Sequence, residues 1–326
     1  MTRAFLYDDS VSIKLNPIPV ILGPTASNKT AVGIELAKLL NGEVISVDSR
    51  KVYKGLPIGT ATPPGSWQTS VYVVKGISHH LMAFLSPDLF YTAGDFVRDA
   101  DNLIRLIQKI GKTPILVGGT GFYFKALYEG LPPLPARDSH IRNYLEDLIS
   151  KKGLSYLHEE LRKVDPAAAQ KISVQDRHKL IRAMEIFHIT KKPYSEFKNQ
   201  NKVVSPFSFN IMALEFPKPE LEDRIEKRSK RMVEHGMIQE AKKLLEEGYS
   251  KTCPALASFG YKEAVQVIEG ILPETEFLPH LIKQTKAYAK RQRTWFRTQV
   301  KPLWFPCAEG TNEEIALKMK DFLYHH

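Results

Sequence analysis

Along the chain, apolar positions follow two different spacings. Residues 18–22 form a short apolar run that stops at Gly23, and from 29 to 40 apolar residues recur at helical spacing until Asn41-Gly42. This predicts a strand, a loop and a helix. A second apolar run, 43–47, ends at Asp48, and a third, 113–117, ends at Gly118-Gly119-Thr120-Gly121. The helix before the third run is predicted over 93–110, closed by Gly111, and 209–214 reads as a further core strand. Strands alternating with helices predict an α/β fold with a parallel sheet.

The texture changes between Pro133 and Pro206, where helical spacing recurs over 141–149, 156–161 and 180–189 with no convincing strand. The expected organisation is an N-terminal extension over 1–16, a core built from 17–133 and 206–326, and a helical insertion over 134–205. Residues 219–247 and 280–300 are long, charged and helical in pattern, so the C-terminal region is expected to be mostly helices.

Composition narrows the classes. The 326 residues are 43% hydrophobic and 25% charged, enough for a sizeable core and unlike a disordered chain. No run approaches the roughly 20 apolar residues that span a bilayer, and Asp8 and Asp9 stand where a signal peptide would be apolar. Neither export nor membrane contact is expected. Cys253 and Cys307 are far apart and in no metal-ligand spacing, which argues against a disulfide framework or zinc site and for a reducing cytoplasm. Forty-six Lys and Arg against 36 Asp and Glu give a net charge of +10, favouring a polyanionic partner.

The segment Gly23-Pro24-Thr25-Ala26-Ser27-Asn28-Lys29-Thr30 lies between the first strand and helix, where backbone N–H groups and a helix N-terminus converge on an anion. Lys29 adds a full charge, and Thr30 is placed to bind a phosphate-bridging Mg2+, as in a P-loop. The strict pattern has Gly where Asn28 stands; Asn tolerates the unusual backbone angles best among other residues. Asp48 ends the second strand on the same sheet edge, where it either caps a turn or faces the phosphates as a metal ligand or proton acceptor. The turn 118–121 brings Thr120 toward the same crevice. Arg224 and Arg228 sit one helical turn apart, facing either a phosphate or the nearby carboxylates Glu220, Glu222, Asp223 and Glu226. The adjacent His79 and His80 would point to opposite strand faces, which suits structural roles. On a projection of 280–300, Lys283, Lys286, Lys290, Arg293 and Arg297 share a stripe, with Leu281, Tyr288 and Trp295 on a packing face; no acid occurs between Phe277 and Trp304, so an anionic partner is expected there.

GPTASNKT at 23–30, DSRKVYKGLPIGTATP at 48–63, HHL at 79–81 and ILVGGTGFY at 115–123 resemble the tRNA dimethylallyltransferases, or tRNA isopentenyltransferases. The resemblance continues in order through DRHKLIRAMEIF at 176–187, DRIEKRSKRM at 223–232, FGYKE at 259–263 and QTKAYAKRQRTWFR at 284–297. It spans nearly the whole chain. It implies a P-loop NTPase-like core with a helical insertion and a helical C-terminal region. The implied reaction moves a dimethylallyl group from dimethylallyl diphosphate, the co-substrate, to the exocyclic amine of the adenosine 3′-adjacent to the anticodon.

By resemblance, Asp48 is the base and Thr120 a catalytic hydroxyl. Residues 23–30 with Arg224 and Arg228 hold the diphosphate, with Mg2+ on Thr30. A tRNA anticodon stem-loop is the partner, met by Ser49, Arg50, Lys51, Val52 and Tyr53 and by Arg142, Lys179 and Arg182 of the insertion, which acts as an arm. Tyr261, Lys262, Lys290, Arg291, Arg293 and Arg297 complete the expected RNA contacts. Lys51 stands where the family usually has Gln, so phosphate attraction is expected there. A monomer is expected. Rival readings are an adenylate isopentenyltransferase acting on a free nucleotide, a P-loop kinase, and an RNA-binding module without activity.

Overall fold

The computed structural model describes residues 17–198, 202 and 204–325, so the expected extension over 1–16 lies outside the described residues. The chain separates into two compact units, one formed by the described residues up to Tyr128 and from Ser205 on, the other by Glu129–Val204. The first is built on a sheet of strands β1 (Ile18–Leu22), β2 (Gly42–Val47), β3 (Ser66–Gln68), β4 (Val71–Val74), β5 (Ile77–His80), β6 (Thr113–Gly118), β7 (Phe209–Glu215) and β8 (Leu303–Pro306). Their order is β3-β4-β5-β2-β6-β1-β7-β8, parallel except for the antiparallel β3-β4-β5 edge.

Alternation along the central strands sends side chains into two cores. Val20, Leu22, Ile45, Val47 and Leu116 face Phe96, Ile104 and Phe124 on one side. Ile21, Val44, Ile115 and Val117 face Val32, Leu36, Ile225 and Met319 on the other. Burial on both faces is why these strands read as continuous apolar runs. The helix Ala93–Lys109 begins with Thr92 and Asp95 capping each other's backbone N–H and ends before Gly111 at φ 74°. The hairpins of β3 to β5 and the short β8 were not expected, because a three- or four-residue strand carries too little periodicity to be seen.

The long helix Glu274–Gln299 packs through Phe277, Leu281, Thr285, Ala289, Gln292 and Phe296. Their three- and four-residue spacing corrects the expected packing face: Tyr288 and Trp295 are only partly buried. A further core joins Val52, Tyr53 and Leu56 to Met237, Ala241, Tyr261 and Leu281. Val52, Tyr53 and Tyr261 are 1%, 5% and 2% exposed, which removes their side chains from the expected RNA contacts. Tyr261 instead bonds the buried Glu240 carboxylate and donates to Leu56 O, while Glu240 accepts from Ile58 N and Gly59 N.

The second unit is helical, its helix Ser139–Val164 interrupted at Gly153, where φ is 83°. Its core runs from Leu145 and Leu157 to Leu180 and Met184. Arg142 bonds both oxygens of Glu185 at 2.8 and 2.9 Å, and Arg182 bonds Glu185 at 2.7 Å and Pro135 O at 2.7 Å. Burial would raise the Glu185 carboxyl, but hydrogen bonds from Arg142 and then Arg182 hold it below its ordinary value. Both arginines, expected on RNA, are therefore committed to a buried carboxylate; Lys179 is exposed and pairs with Asp176 at 2.7 Å. Glu185→Ala leaves two half-buried guanidinium groups without their anion, and should destabilise this unit by about 3–5 kcal/mol, read from its denaturant midpoint.

Candidate active site

Because β2, β6 and β1 are consecutive neighbours and parallel, the loops after them emerge side by side at one edge of the sheet. Close strand contact demands small residues here. A Cβ on Gly118 would lie 2.0 Å from Val47 O, and one on Gly121 would lie 2.2 Å from the Trp295 ring. The three loops open onto a cavity of about 860 Å³ lined by residues 25–31, Asp48, Lys51, Gly118, Arg224 and Arg228.

The P-loop forms without its usual glycine. Asn28 takes the left-handed conformation at φ 58° and ψ 18°, directly before the helix Lys29–Leu39. Lys29 Nζ donates to Pro24 O at 2.6 Å, and Ser27 Oγ donates to the same oxygen at 2.8 Å. Arg224 and Arg228, on the helix Lys218–Glu234, both reach the loop. Arg224 Nε donates to Ala26 O at 3.0 Å, and Arg228 Nη2 donates to Thr25 Oγ1. Arg228 Nε is buried and finds no hydrogen-bond partner among the described residues. A buried, unpaired guanidinium N–H beside an anion nest is the position of a missing acceptor.

Asp48 closes the turn at the strand end and also lines the cavity. Its Oδ1 accepts from Arg50 N at 2.8 Å and Lys51 N at 3.2 Å, closing the turn. Its Oδ2 accepts no hydrogen bond among the described residues, and the side chain lines the cavity. Thr120 Oγ1 accepts from Ser49 N at 3.0 Å and lies 3.3 Å from Ser49 Oγ, so it fixes the turn that carries Asp48. Arg50 is exposed.

Lys51, expected on RNA, turns the other way. Its Nζ donates to Thr30 Oγ1 at 3.2 Å inside the cavity. The cations shift accordingly. Burial, with Lys51 nearby, pushes Lys29 down to about 7, opposed by Asp48. Burial likewise lowers Lys51 and takes Arg228 to about 10, with Asp48 opposing in each case. The expected magnesium fits these residues poorly. Thr30 Oγ1 is already paired with an ammonium group, and Asp48 Oδ1 serves the turn.

One residue was missed. Gln292 accepts from Thr25 N at 2.8 Å through Oε1 and donates to Gly119 O at 2.8 Å through Nε2, tying the P-loop to the glycine turn. The signal was a lone amide on the apolar stripe of its helix, since a buried amide must find partners. His79 is also buried near the site, with Nδ1 on Ile77 O at 2.9 Å, and desolvation lowers it to about 4; His80 pairs with Glu43 at 2.7 Å. His79 Nε2 is buried without a hydrogen-bond partner among the described residues.

The basic stripe is smaller than the sequence implied. Lys286 pairs with Glu222 and Glu226, and both Arg293 and Arg297 pair with Glu215 at the end of β7. The acids absent between Phe277 and Trp304 come from other elements. Lys283, Lys290, Arg291 and Lys262 are exposed, and none makes an ion pair among the described residues; Arg291 lies 5.9 Å from the Tyr288 ring centroid.

Residues 51–299 match the IPP transferase family model. A tRNA dimethylallyltransferase of Elusimicrobium minutum is 42% identical over 85% of this chain and 90% of its own length. One from Geobacter sulfurreducens is 38% identical over 92% and 95%. Among solved structures, the full-length tRNA isopentenylpyrophosphate transferase of Bacillus halodurans aligns with a TM-score of 0.65 at 34% identity, covering 95% of this chain and all of its own. A eukaryotic dimethylallyltransferase acting on tRNA aligns with a TM-score of 0.77 at 26% identity, over 95% of this chain and 80% of that one. With the P-loop, the strand-end aspartate and the glycine turn gathered at one sheet edge, the chain belongs to the IPP transferase family.

Proposed function

We propose that this protein is a tRNA dimethylallyltransferase, which moves the dimethylallyl group of dimethylallyl diphosphate to the exocyclic amine of the adenosine 3′-adjacent to the anticodon. The observation that carries this reading is the single cavity in which an anion nest with Lys29 and Arg228 faces the open oxygen of Asp48. The target base is stacked in the anticodon loop and must be extruded to enter, at a cost of a few kcal/mol.

The amine lone pair attacks the allylic carbon while the carbon–oxygen bond to the diphosphate breaks, and the bonding electrons leave on the diphosphate oxygen. The P-loop N–H groups, Lys29 and Arg228 stabilise the charge that grows there. Arg224 supports the nest through Ala26 O. The amine is a weak nucleophile, so its proton passes to Asp48 Oδ2 as the new bond forms. Oδ1, held by two backbone N–H groups, keeps the carboxylate aimed. Thr120 positions that turn through Ser49. Gln292 holds the nest and the glycine turn at a fixed separation, so the donor and acceptor sides of the cavity keep their spacing.

RNA is held by the exposed cations Lys283, Lys290, Arg291 and Lys262 together with Arg50. The helical unit Glu129–Val204 acts as an arm, with Lys179 its surface contact among the residues the sequence singled out. The chain has no helix among its described residues long and apolar enough to cross a membrane. Its two free, buried cysteines suit a cytoplasmic enzyme, acting as a monomer.

Label from dimethylallyl diphosphate should enter an anticodon stem-loop bearing the target adenosine, and enter free adenosine monophosphate at background level. Label in the nucleotide alone would refute the proposal. Asp48→Asn should lower kcat by about 10²- to 10⁴-fold with stem-loop affinity kept.

A bound diphosphate favours the charged form of Lys29, returning its pKa from about 7 toward 10.5. At pH 8 the free amine is mostly neutral, so binding takes up a proton; at pH 6 it is already charged and uptake fades. Titration calorimetry in buffers of different ionisation heat should show a larger uptake in the wild type than in Lys29→Arg, which is charged throughout at position 29.

Lys290→Ala with Arg291→Ala should weaken stem-loop binding and reduce its log-salt slope by roughly 1 to 2. Arg293→Ala with Arg297→Ala should reduce that slope less, because the two share the Glu215 carboxylate.

A further inference from the structure

Lys51 lies three residues after Asp48, and its main chain is fixed on both sides of the turn. Its N–H donates to Asp48 Oδ1 at 3.2 Å, and its carbonyl accepts from Ala83 N at 2.6 Å. From that anchored backbone the side chain crosses the cavity to place Nζ 3.2 Å from Thr30 Oγ1. Thr30 is the hydroxyl to which a P-loop would bind a phosphate-bridging cation.

We propose that Lys51 is a diphosphate-binding residue whose ammonium group takes the place of the divalent cation at Thr30, so that this protein binds the diphosphate of its substrate without a metal. The inference rests on the diphosphate reading of the cavity and deepens it.

Two physical points favour it. A magnesium ion on Thr30 Oγ1, at a ligand distance of about 2 Å, would lie within about 6 Å of the Lys51 ammonium, with both positive charges in one partly buried cavity. The residues already present also supply the charge a metal would bring. Lys29, Lys51 and Arg228 converge on the P-loop, and Asp48 is the carboxylate that offsets all three. A lysine ammonium is a compact point charge with three donors, suited to bridging phosphate oxygens as well as the Thr30 hydroxyl.

The test is calorimetric binding of inorganic diphosphate to the full chain, in EDTA and in magnesium. The wild type should bind in EDTA, with affinity changed by less than about threefold when magnesium is present. Lys51→Gln should bind at least about tenfold more weakly in EDTA, the loss expected for a charge-assisted hydrogen bond, and should regain affinity in magnesium. Lys51→Arg, which keeps the charge, should retain metal-free binding. If Lys51→Gln does not fold, Lys51→Met is titrated in its place, with far-UV circular dichroism confirming its fold. Wild-type binding that requires magnesium would overturn the proposal and leave the diphosphate site standing. Equal metal-free binding by wild type and Lys51→Gln would also overturn it. Wild-type binding in neither condition would overturn the diphosphate reading itself, and this inference with it.

Discussion

Three cations cannot share a small cavity at rest without a compensating anion, and this constraint organises the molecule. Lys29, Lys51 and Arg228 point into the same space at the end of a parallel sheet, and Asp48 is the carboxylate set against them. Burial lowers each cation away from its ordinary range, and a buried guanidinium N–H stays without an acceptor. Perturbed groups of this kind cluster where a protein meets a ligand.

The fold makes that convergence possible by topology. The strand order puts β1 beside β6 and β6 beside β2, so the anion nest, the glycine turn and the aspartate turn meet though they lie far apart in sequence. Glycines 118 and 121 let the backbone of one turn and the Trp295 ring of the long helix approach. Thr120 then locks the aspartate turn, and Gln292 locks the nest against the glycine turn. The site is held by hydrogen bonds between loops, each loop rooted in a buried strand.

Much of this could be read from the residues. Long apolar runs and their stops gave away the central strands, since burial on both faces leaves an uninterrupted signal. The short β3 to β5 hairpins and β8 left no such trace. Asn28, Lys29 and Asp48 lie in the loops that follow the expected strands, because a strand-loop-helix unit determines direction as well as position. What failed was electrostatics across elements. The basic helix looked uncompensated because its acids, Glu215, Glu222 and Glu226, belong to other segments. Arg142 and Arg182 looked available until Glu185 was found between them. Lys51 looked outward because a sequence does not say which way a turn residue bends. Val52, Tyr53 and Tyr261 carry helical or turn contexts that do not distinguish core from surface.

The helix Glu274–Gln299 carries Gln292 on its inner side and Lys290 and Arg291 on its outer side. Three consecutive positions thus belong to two different tasks, one gripping the loops that shape the donor chamber, the other facing solvent with unneutralised charge. A rotation of this helix by a single residue would misalign both at once. The architecture of the sheet edge is therefore indivisible along the chain: a truncation that removes the last third takes away the brace between the P-loop and the glycine turn, which is supplied from the far side of the polypeptide.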